Sequence, residues 1–420
     1  MEALLTTSRL VLTISGGSMR RTAIAAVGLW LALVSCGGGG GGGGGTATID
    51  IGAILPLTGE GADYGPGMQV AMQIAVDEVN ASGGQKFKLY VEDDATNPDQ
   101  GVRAAHKLID INHVKAIVGT WASSVTLAVA PLTQDANIVE MNVSGSPKLS
   151  TLEPEGQRTV FRVNATDAAL AETVGSVLLK QNYKSITILA NNSAGTIGFG
   201  QSIKESFTKG GGTVLDSITY PDKQSSYTSV VAKALATKPD IYVLSCYTPD
   251  GTLIVKEAYQ AGSKTKIAMP AWCINDQMIS SVGANVVEGD ISFDLVAVKD
   301  SPAYARLNAA YKAKTGKEAF DNVYAVHVYD AIHLLALAFQ KAGTTKSHEV
   351  GKALTEVSNP PGQEVTNFKD GLALLKQGKG VHYVGASGPI EFNKQGDMAP
   401  NVGIFRVENG KLVVTSVFAP

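Results

Sequence analysis

From Ile49 onward, short apolar runs rich in β-branched residues alternate with stretches whose apolar positions recur every three or four residues. That alternation predicts parallel sheets carrying helices on both faces. Strands are expected at 49–55, 87–91, 114–118, 138–143, 186–190, 241–244 and 267–269, each bounded by turn residues. A helix should open at Asn97-Pro98, a cap residue followed by proline in the first turn, with Val102, Ala105 and Ile109 along one face. A longer one is expected over 322–341, where Ala325, Val328, Tyr329, Ile332, Leu335, Ala336 and Phe339 predict a core helix. Near the C-terminus, alternating runs at 404–407 and 412–417 flank Glu408-Asn409-Gly410-Lys411 and predict a hairpin turning at Asn-Gly. No tandem repeat interrupts this pattern, although its two α/β blocks are loosely alike.

The first 45 residues follow a different pattern. Arg20 and Arg21 precede an uncharged apolar run at 23–34 that stops at Ser35-Cys36. A basic stretch followed by about a dozen apolar residues is shorter than the roughly 20 a membrane-spanning helix needs, so it reads as an export signal. Met19 stands directly before the arginines and is a candidate start, with residues 1–18 upstream of the signal proper. Leu33-Val34-Ser35-Cys36 resembles the bacterial lipobox, which implies cleavage before Cys36 and lipidation of its thiol; the alternative is an ordinary signal with an incidental cysteine. Nine glycines, Gly37 to Gly45, come next. They cannot bury apolar surface and behave as a coil spanning about 15 to 18 Å, a tether between anchor and folded chain. Residues 1–36 are therefore assigned to the signal and 37–46 to the tether.

The roughly 375 residues that follow suffice for two domains of ordinary size, each with a core. A net charge of −3 with both signs interspersed argues against a nucleic-acid partner, which demands a clustered basic surface. Of the three cysteines, Cys246 and Cys273 remain once Cys36 is set aside. They could bridge in an oxidising compartment or stand as two separate buried thiols. The six histidines are scattered, and His327 and His333 are six apart on one helix, so no metal site is expected. Gly195-Thr196-Ile197-Gly198-Phe199-Gly200 lacks the dinucleotide spacing, and neither a phosphate loop nor a Gly-x-Ser-x-Gly elbow is present. Neither an enzyme nor a cofactor is expected.

In open parallel sheets, ligands collect beyond the carboxyl ends of strands, where helix N-termini point free N–H groups inward. The strand ending at Gly119 leads through Thr120-Trp121-Ala122 to Ser123-Ser124 and a helix, so Ser123 can cap that helix or donate to a ligand carboxylate. The next strand ends at Ser144-Gly145-Ser146.

Gly52-Ala53-Ile54-Leu55-Pro56-Leu57-Thr58-Gly59 with Tyr64-Gly65 resembles the opening of type I periplasmic binding proteins, and within them the branched-chain amino acid (Leu/Ile/Val) binders of ABC transporters. Asn80-Ala81-Ser82-Gly83-Gly84, Asp93-Asp94-Ala95-Thr96, Ala116-Ile117-Val118-Gly119, Ser123-Ser124 and Gly388-Pro389-Ile390-Glu391-Phe392 follow in the family's order, so the resemblance runs from about Ile49 to Val417. It implies an α/β fold of two Rossmann-like lobes with a ligand cleft between them, joined by three crossover strands. Lobe 1 would hold 47–164 and 294–384, and lobe 2 would hold 165–293 and 385–420. The crossovers are expected at Phe161-Arg162-Val163, at Ile291-Ser292-Phe293 and close to Gly385.

The same resemblance implies a site. Ser123 and Ser144-Gly145-Ser146 align with positions that hold the carboxylate and ammonium of an amino acid, against the alternative of purely structural caps. Tyr64, Phe199 and Tyr247 fall where the family sets aromatic rings, Trp121 should join them, and Trp272 is a further candidate contact. One departure stands out. The branched-chain binders carry a glutamate for the ammonium just after a strand-ending proline, but here Met269-Pro270 is followed by Ala271-Trp272-Cys273. Either Asp276 substitutes from further on, or the ligand has no ammonium, because leaving one unpaired would cost several kcal/mol. Amides, ureas, hydroxy or keto acids and aromatic acids stay open beside amino acids. The expected role is extracytoplasmic solute capture by a monomeric, lipid-anchored periplasmic protein that closes on its ligand and serves a membrane permease; ligand sensing through a membrane receptor is the alternative.

Overall fold

The computed structural model describes residues 48–399 and 401–419; the signal, Cys36 and the glycine tract lie outside them. Five parallel strands form the first sheet: β1 (Thr48–Leu55), β2 (Lys86–Asp93), β3 (Ala116–Gly119), β4 (Val139–Asn142) and β5 (Val160–Arg162), in the order β2-β1-β3-β4-β5. Burial on both faces explains why β3 reads as a short unbroken apolar run, whereas β4, Val139-Glu140-Met141-Asn142, buries its polar residues as well. The helix at Pro98–His106 starts as its sequence implies, with the Asn97 side chain accepting from the Gln100 N–H at 3.0 Å.

After β5 the chain leaves this sheet and builds a second from β6 (Ser185–Asn191), β7 (Thr213–Tyr220), β8 (Ile241–Ser245), β9 (Ile267–Pro270) and β10 (Ile291–Leu295). After β10 it returns, and the helices Pro302–Thr315 and Val323–Ala342 pack on the first half against helix Gly65–Ala81. Val323 to Phe339 is buried without a break, so that helix is apolar on every side because the core surrounds it. A short parallel pair, β11 (Gln363–Val365) and β12 (Val381–Tyr383), precedes a third crossing. The chain then adds the hairpin β13 (Val402–Glu408) and β14 (Lys411–Phe418), with β13 antiparallel to β10 and the final order β14-β13-β10-β9-β8-β6-β7. Asn409 and Gly410 both take positive φ, the turn that Asn-Gly favours.

β7 was not among the expected strands. It is an edge strand whose sequence, TVLDSITY, leaves six of its eight positions partly covered or open, so no apolar run marks it. The pair β11–β12 is three residues per strand, below the length at which periodicity speaks. The crossing segments are laced together: the Arg162 N–H donates to Gly396 O at 2.8 Å and the Val296 N–H to Asn401 O at 3.0 Å.

Candidate functional site

The carboxyl ends of β3 and β4 face those of β6, β8 and β9 across a narrow cleft. Gly119 at φ +109° and Thr120 at φ +52° turn the chain sharply after β3. The Thr120 N–H is held by Ile54 O at 2.7 Å and its carbonyl accepts from Thr126 Oγ1 at 3.0 Å. That turn pushes Trp121 toward the cleft and starts helix Ser123–Asp135, whose N-cap, Ala122, offers no side-chain acceptor to its first N–H groups. Ser123 lines the cavity, and its Oγ accepts from the Ser146 N–H at 3.2 Å.

The loop after β4 divides its roles differently from the expectation. Gly145 faces the cavity. The Ser144 hydroxyl does not: it is fully buried and donates to Thr120 O at 3.0 Å and Trp121 O at 3.2 Å. Ser146 Oγ turns back to accept from the Lys148 N–H at 3.4 Å. These two hydroxyls hold the loop rather than a ligand, because two neighbouring carbonyls and a short helix start need donors and acceptors first. Arg162 on β5 fixes the loop from beneath, donating to Ser144 O and Ser146 O at 3.0 Å each while its Nε pairs with Asp397 Oδ1 at 2.8 Å.

Aromatic rings wall the cavity. Trp121 lies 5.6 Å from Tyr247 and 5.8 Å from Tyr324, centroid to centroid, and Trp272 closes the far side. Tyr64 stacks behind Trp121 at 5.3 Å and donates its hydroxyl across the cleft to Ala271 O at 2.9 Å, so it bridges the halves and faces an outer groove. Phe199 is fully buried; it stacks on Phe293 at 5.1 Å and meets Trp272 edge-on at 6.2 Å, so it supports the wall without reaching the cavity. Asp276 opens helix Asp276–Val282 on the outer groove, away from the cavity, because the turn after Pro270 carries the chain outward to the Asn275 cap. It therefore does not fill the place of the missing glutamate.

Two other carboxylates do reach the cavity, and neither was singled out in the sequence. Asp167 opens helix Asp167–Lys180, and its N–H donates to Gly145 O at 2.7 Å. Its carboxylate fits between two glycines: a Cβ on Gly145 would collide with Oδ1, and one on Gly198 would stand 3.0 Å from Oδ2. Oδ2 has no hydrogen-bond partner. Burial raises this acid to about 7 against a lowering pull from Arg162. Asp294 sits in β10, accepts from the Leu295 N–H at 2.7 Å, and is likewise raised to about 7 by burial. The available signal was an acid shortly after each of the first two expected crossover runs, Phe161-Arg162-Val163 and Ile291-Ser292-Phe293.

The cleft is shut. The space left between the halves is about 40 Å³, enough for a few waters. Across the mouth, Asn275 Nδ2 donates to Asp63 Oδ2 at 3.0 Å, and the Gln277 amide reaches the same carboxylate at 3.0 and 3.2 Å. Directly behind the wall, Cys246 and Cys273 are joined with Cα atoms 5.2 Å apart, each next in sequence to a cavity ring, Tyr247 and Trp272. Among the described residues no cluster of three or more His, Cys, Asp or Glu could hold a metal.

A family profile described as periplasmic binding protein matches residues 48–411. The Leu/Ile/Val-binding protein BraC3 of Rhizobium johnstonii is 26% identical over 375 residues, covering 87% of this chain and 94% of that one. Among solved structures, a leucine-binding protein from Thermotoga maritima superposes with a TM-score of 0.76 at 22% identity, over 89% of this chain and 99% of its own. A solute-binding protein of an ABC transporter from Rhodopseudomonas palustris, solved with 3,4-dihydroxybenzoic acid, gives 0.70 at 24%, over 89% and 97%. At these identities the superpositions establish the fold.

Proposed function

The chain belongs to the periplasmic binding protein family, and from that premise we propose that it is the lipid-anchored, extracytoplasmic receptor of an ABC importer for a small polar solute, an amino acid or a related amide or carboxylate. The observation that carries this reading is the cavity itself, set where both sheets present their strand ends and lined from both halves. Ser123 and the uncapped start of its helix offer hydroxyl and N–H donors to a ligand oxygen. Asp167 Oδ2 offers a waiting acceptor to a ligand N–H. Aromatic walls exclude water and so strengthen both contacts. Because the lining comes from both halves, the ligand bridges them and favours the closed arrangement that a permease can distinguish from the open one.

Thermal-shift screening of the mature protein with amino acids, amides and small carboxylates tests the assignment, since a ligand of the folded state raises the melting temperature. A well-folded protein that no member of a broad panel stabilises would contradict it. Lipidation at Cys36 is checked separately by fatty-acid labelling, which a Cys36→Ser variant should abolish.

A further inference from the structure

Two features of the cavity wall point to the same ligand chemistry by different physics. The first is charge. Asp167 and Asp294 both line the cavity and both are buried, and among the described residues no Lys, Arg or His lines it. Asp167 keeps one oxygen without a partner, and Asp294 makes a single hydrogen bond through its carboxylate, to the Leu295 N–H. Arg162, the cation beneath the loop, is already committed to Asp397 and two carbonyls. The second feature is the ring content. Trp121, Tyr247, Trp272 and Tyr324 all border the same small space. Their π faces carry negative potential that attracts a cation and do nothing comparable for an anion.

An amino acid of the aliphatic kind brings one ammonium and one carboxylate. The ammonium would answer one aspartate and the carboxylate would lie at the Ser123 helix start, leaving the second aspartate without a charged partner. Burying an unpaired carboxylate is costly, so a solute with a further positive group suits this wall better.

We infer that the cleft selects a small organic cation, a solute whose far end is a protonated amine, a guanidinium or a quaternary ammonium, held between Asp167 and Asp294 within the ring of Trp121, Tyr247, Trp272 and Tyr324. The inference rests on the solute-binding reading above and narrows its ligand class. It distinguishes this cleft from one made for a branched aliphatic side chain or a benzoate, neither of which answers the second aspartate.

The test compares solutes of nearly equal shape that differ in charge, by titration calorimetry at pH 7.5 on mature protein freed of co-purified ligand. Three pairs distinguish the cation types: 2,4-diaminobutyrate against norvaline, guanidinium against urea, and choline against 3,3-dimethylbutan-1-ol. In at least one pair the cation should bind about 30-fold or more tightly than its neutral partner, the scale on which a desolvated charge pair contributes. Asp294→Asn, which keeps the acceptor for Leu295, should erase that preference while leaving the melting temperature of the empty protein within a few degrees. Asp167→Asn is a second variant for the same purpose. Neutral members binding as well as the cations in every pair overturns the inference. So does an unchanged preference in both variants, or tighter binding of an aliphatic amino acid or benzoate than of any cation. Each of those outcomes leaves solute binding standing. Failure of every charged and uncharged compound to bind would remove the solute-binding reading as well.

Discussion

Breaking the Cys246–Cys273 link should lower stability and loosen the ligand wall together. The two residues are 27 positions apart, and releasing a loop of that length returns to the unfolded chain conformational freedom equivalent to about 3.5 kcal/mol at 25 °C. Both side chains are fully buried, and helix Thr248–Gln260 makes room for them with Gly251, where a Cβ would stand 2.5 Å from Cys273 Sγ and 2.7 Å from Cys246 Sγ. The substitution pair Cys246→Ser and Cys273→Ser adds two buried hydroxyls to the entropic loss, so that figure is a lower bound for the double variant. With a urea dependence of about 2 to 3 kcal/mol per molar, the unfolding midpoint should fall by about 1 to 2 M. Circular dichroism in a urea series, on oxidised protein, reduced protein and the double variant, reads this directly. The reduced and serine forms should also bind ligand more weakly, since Tyr247 and Trp272 flank the lost link. A midpoint that stays put after mass spectrometry has verified reduction refutes the loop-entropy reasoning.

Three further outcomes are expected. Asp63→Ala removes the acceptor shared by Asn275 and Gln277 across the mouth; at about 0.5 to 1.5 kcal/mol for each of the two donors, affinity should fall by roughly 5- to 150-fold through the opening equilibrium. Equal affinity in calorimetry would show that this latch contributes nothing. Asp397→Asn leaves the buried Arg162 guanidinium without its counter-ion and should destabilise the protein by about 3 to 5 kcal/mol; an unchanged urea midpoint would refute a structural role for the pair. Asp167 and Asp294 carry folded-state values raised from 3.8 to about 7, so the folded protein binds more protons than the unfolded chain between about pH 4 and pH 7. Their contribution to stability therefore falls as pH rises through that window and is flat above it. The double substitution Asp167→Asn, Asp294→Asn should show a shallower fall in melting temperature from pH 5 to pH 8 than the parent, and parallel curves would contradict the assignment.

The sheets were legible because buried parallel strands leave unbroken apolar runs, and the helix starting at Asn97-Pro98 was legible because its cap and proline act locally. The β7 edge was hidden for the opposite reason: with one side open to solvent, TVLDSITY carries no sustained apolar signal. In the site, Ser123, Gly145, Trp121, Tyr247 and Trp272 line the cavity. Ser144, Ser146 and Phe199 share those motifs yet point elsewhere, because a serine's direction depends on which carbonyl is near it in space, and Phe199 is separated from the cavity by Trp272. The carboxylates were missed because each lies in a crossover region that reads as a strand or a helix start. Their meeting at one cavity depends on the three crossings, a property of topology rather than of any local spacing.

That topology also bears on how closure is driven. The Asp167 carboxylate has Gly145 from the first sheet on one side and Gly198 from the second half on the other, so it is most withdrawn from bulk water when the halves meet. In the closed cleft no protein group among the described residues hydrogen-bonds Oδ2, and a buried acceptor left unsatisfied costs about 1 to 3 kcal/mol even before charge is counted. Opening rehydrates it, and a ligand donor satisfies it. Closure of the empty protein is thus disfavoured by the same atom that a solute would satisfy, which is what a receptor needs if its closed form is to report occupancy. Asp167→Ala removes that penalty. Small-angle scattering of the ligand-free protein should then give a smaller radius of gyration for the variant than for the parent, with the parent shrinking only on ligand addition. If the two empty proteins have the same radius, the unpartnered oxygen does not hold the cleft open, and the coupling between solute and closure must lie in the aromatic wall instead.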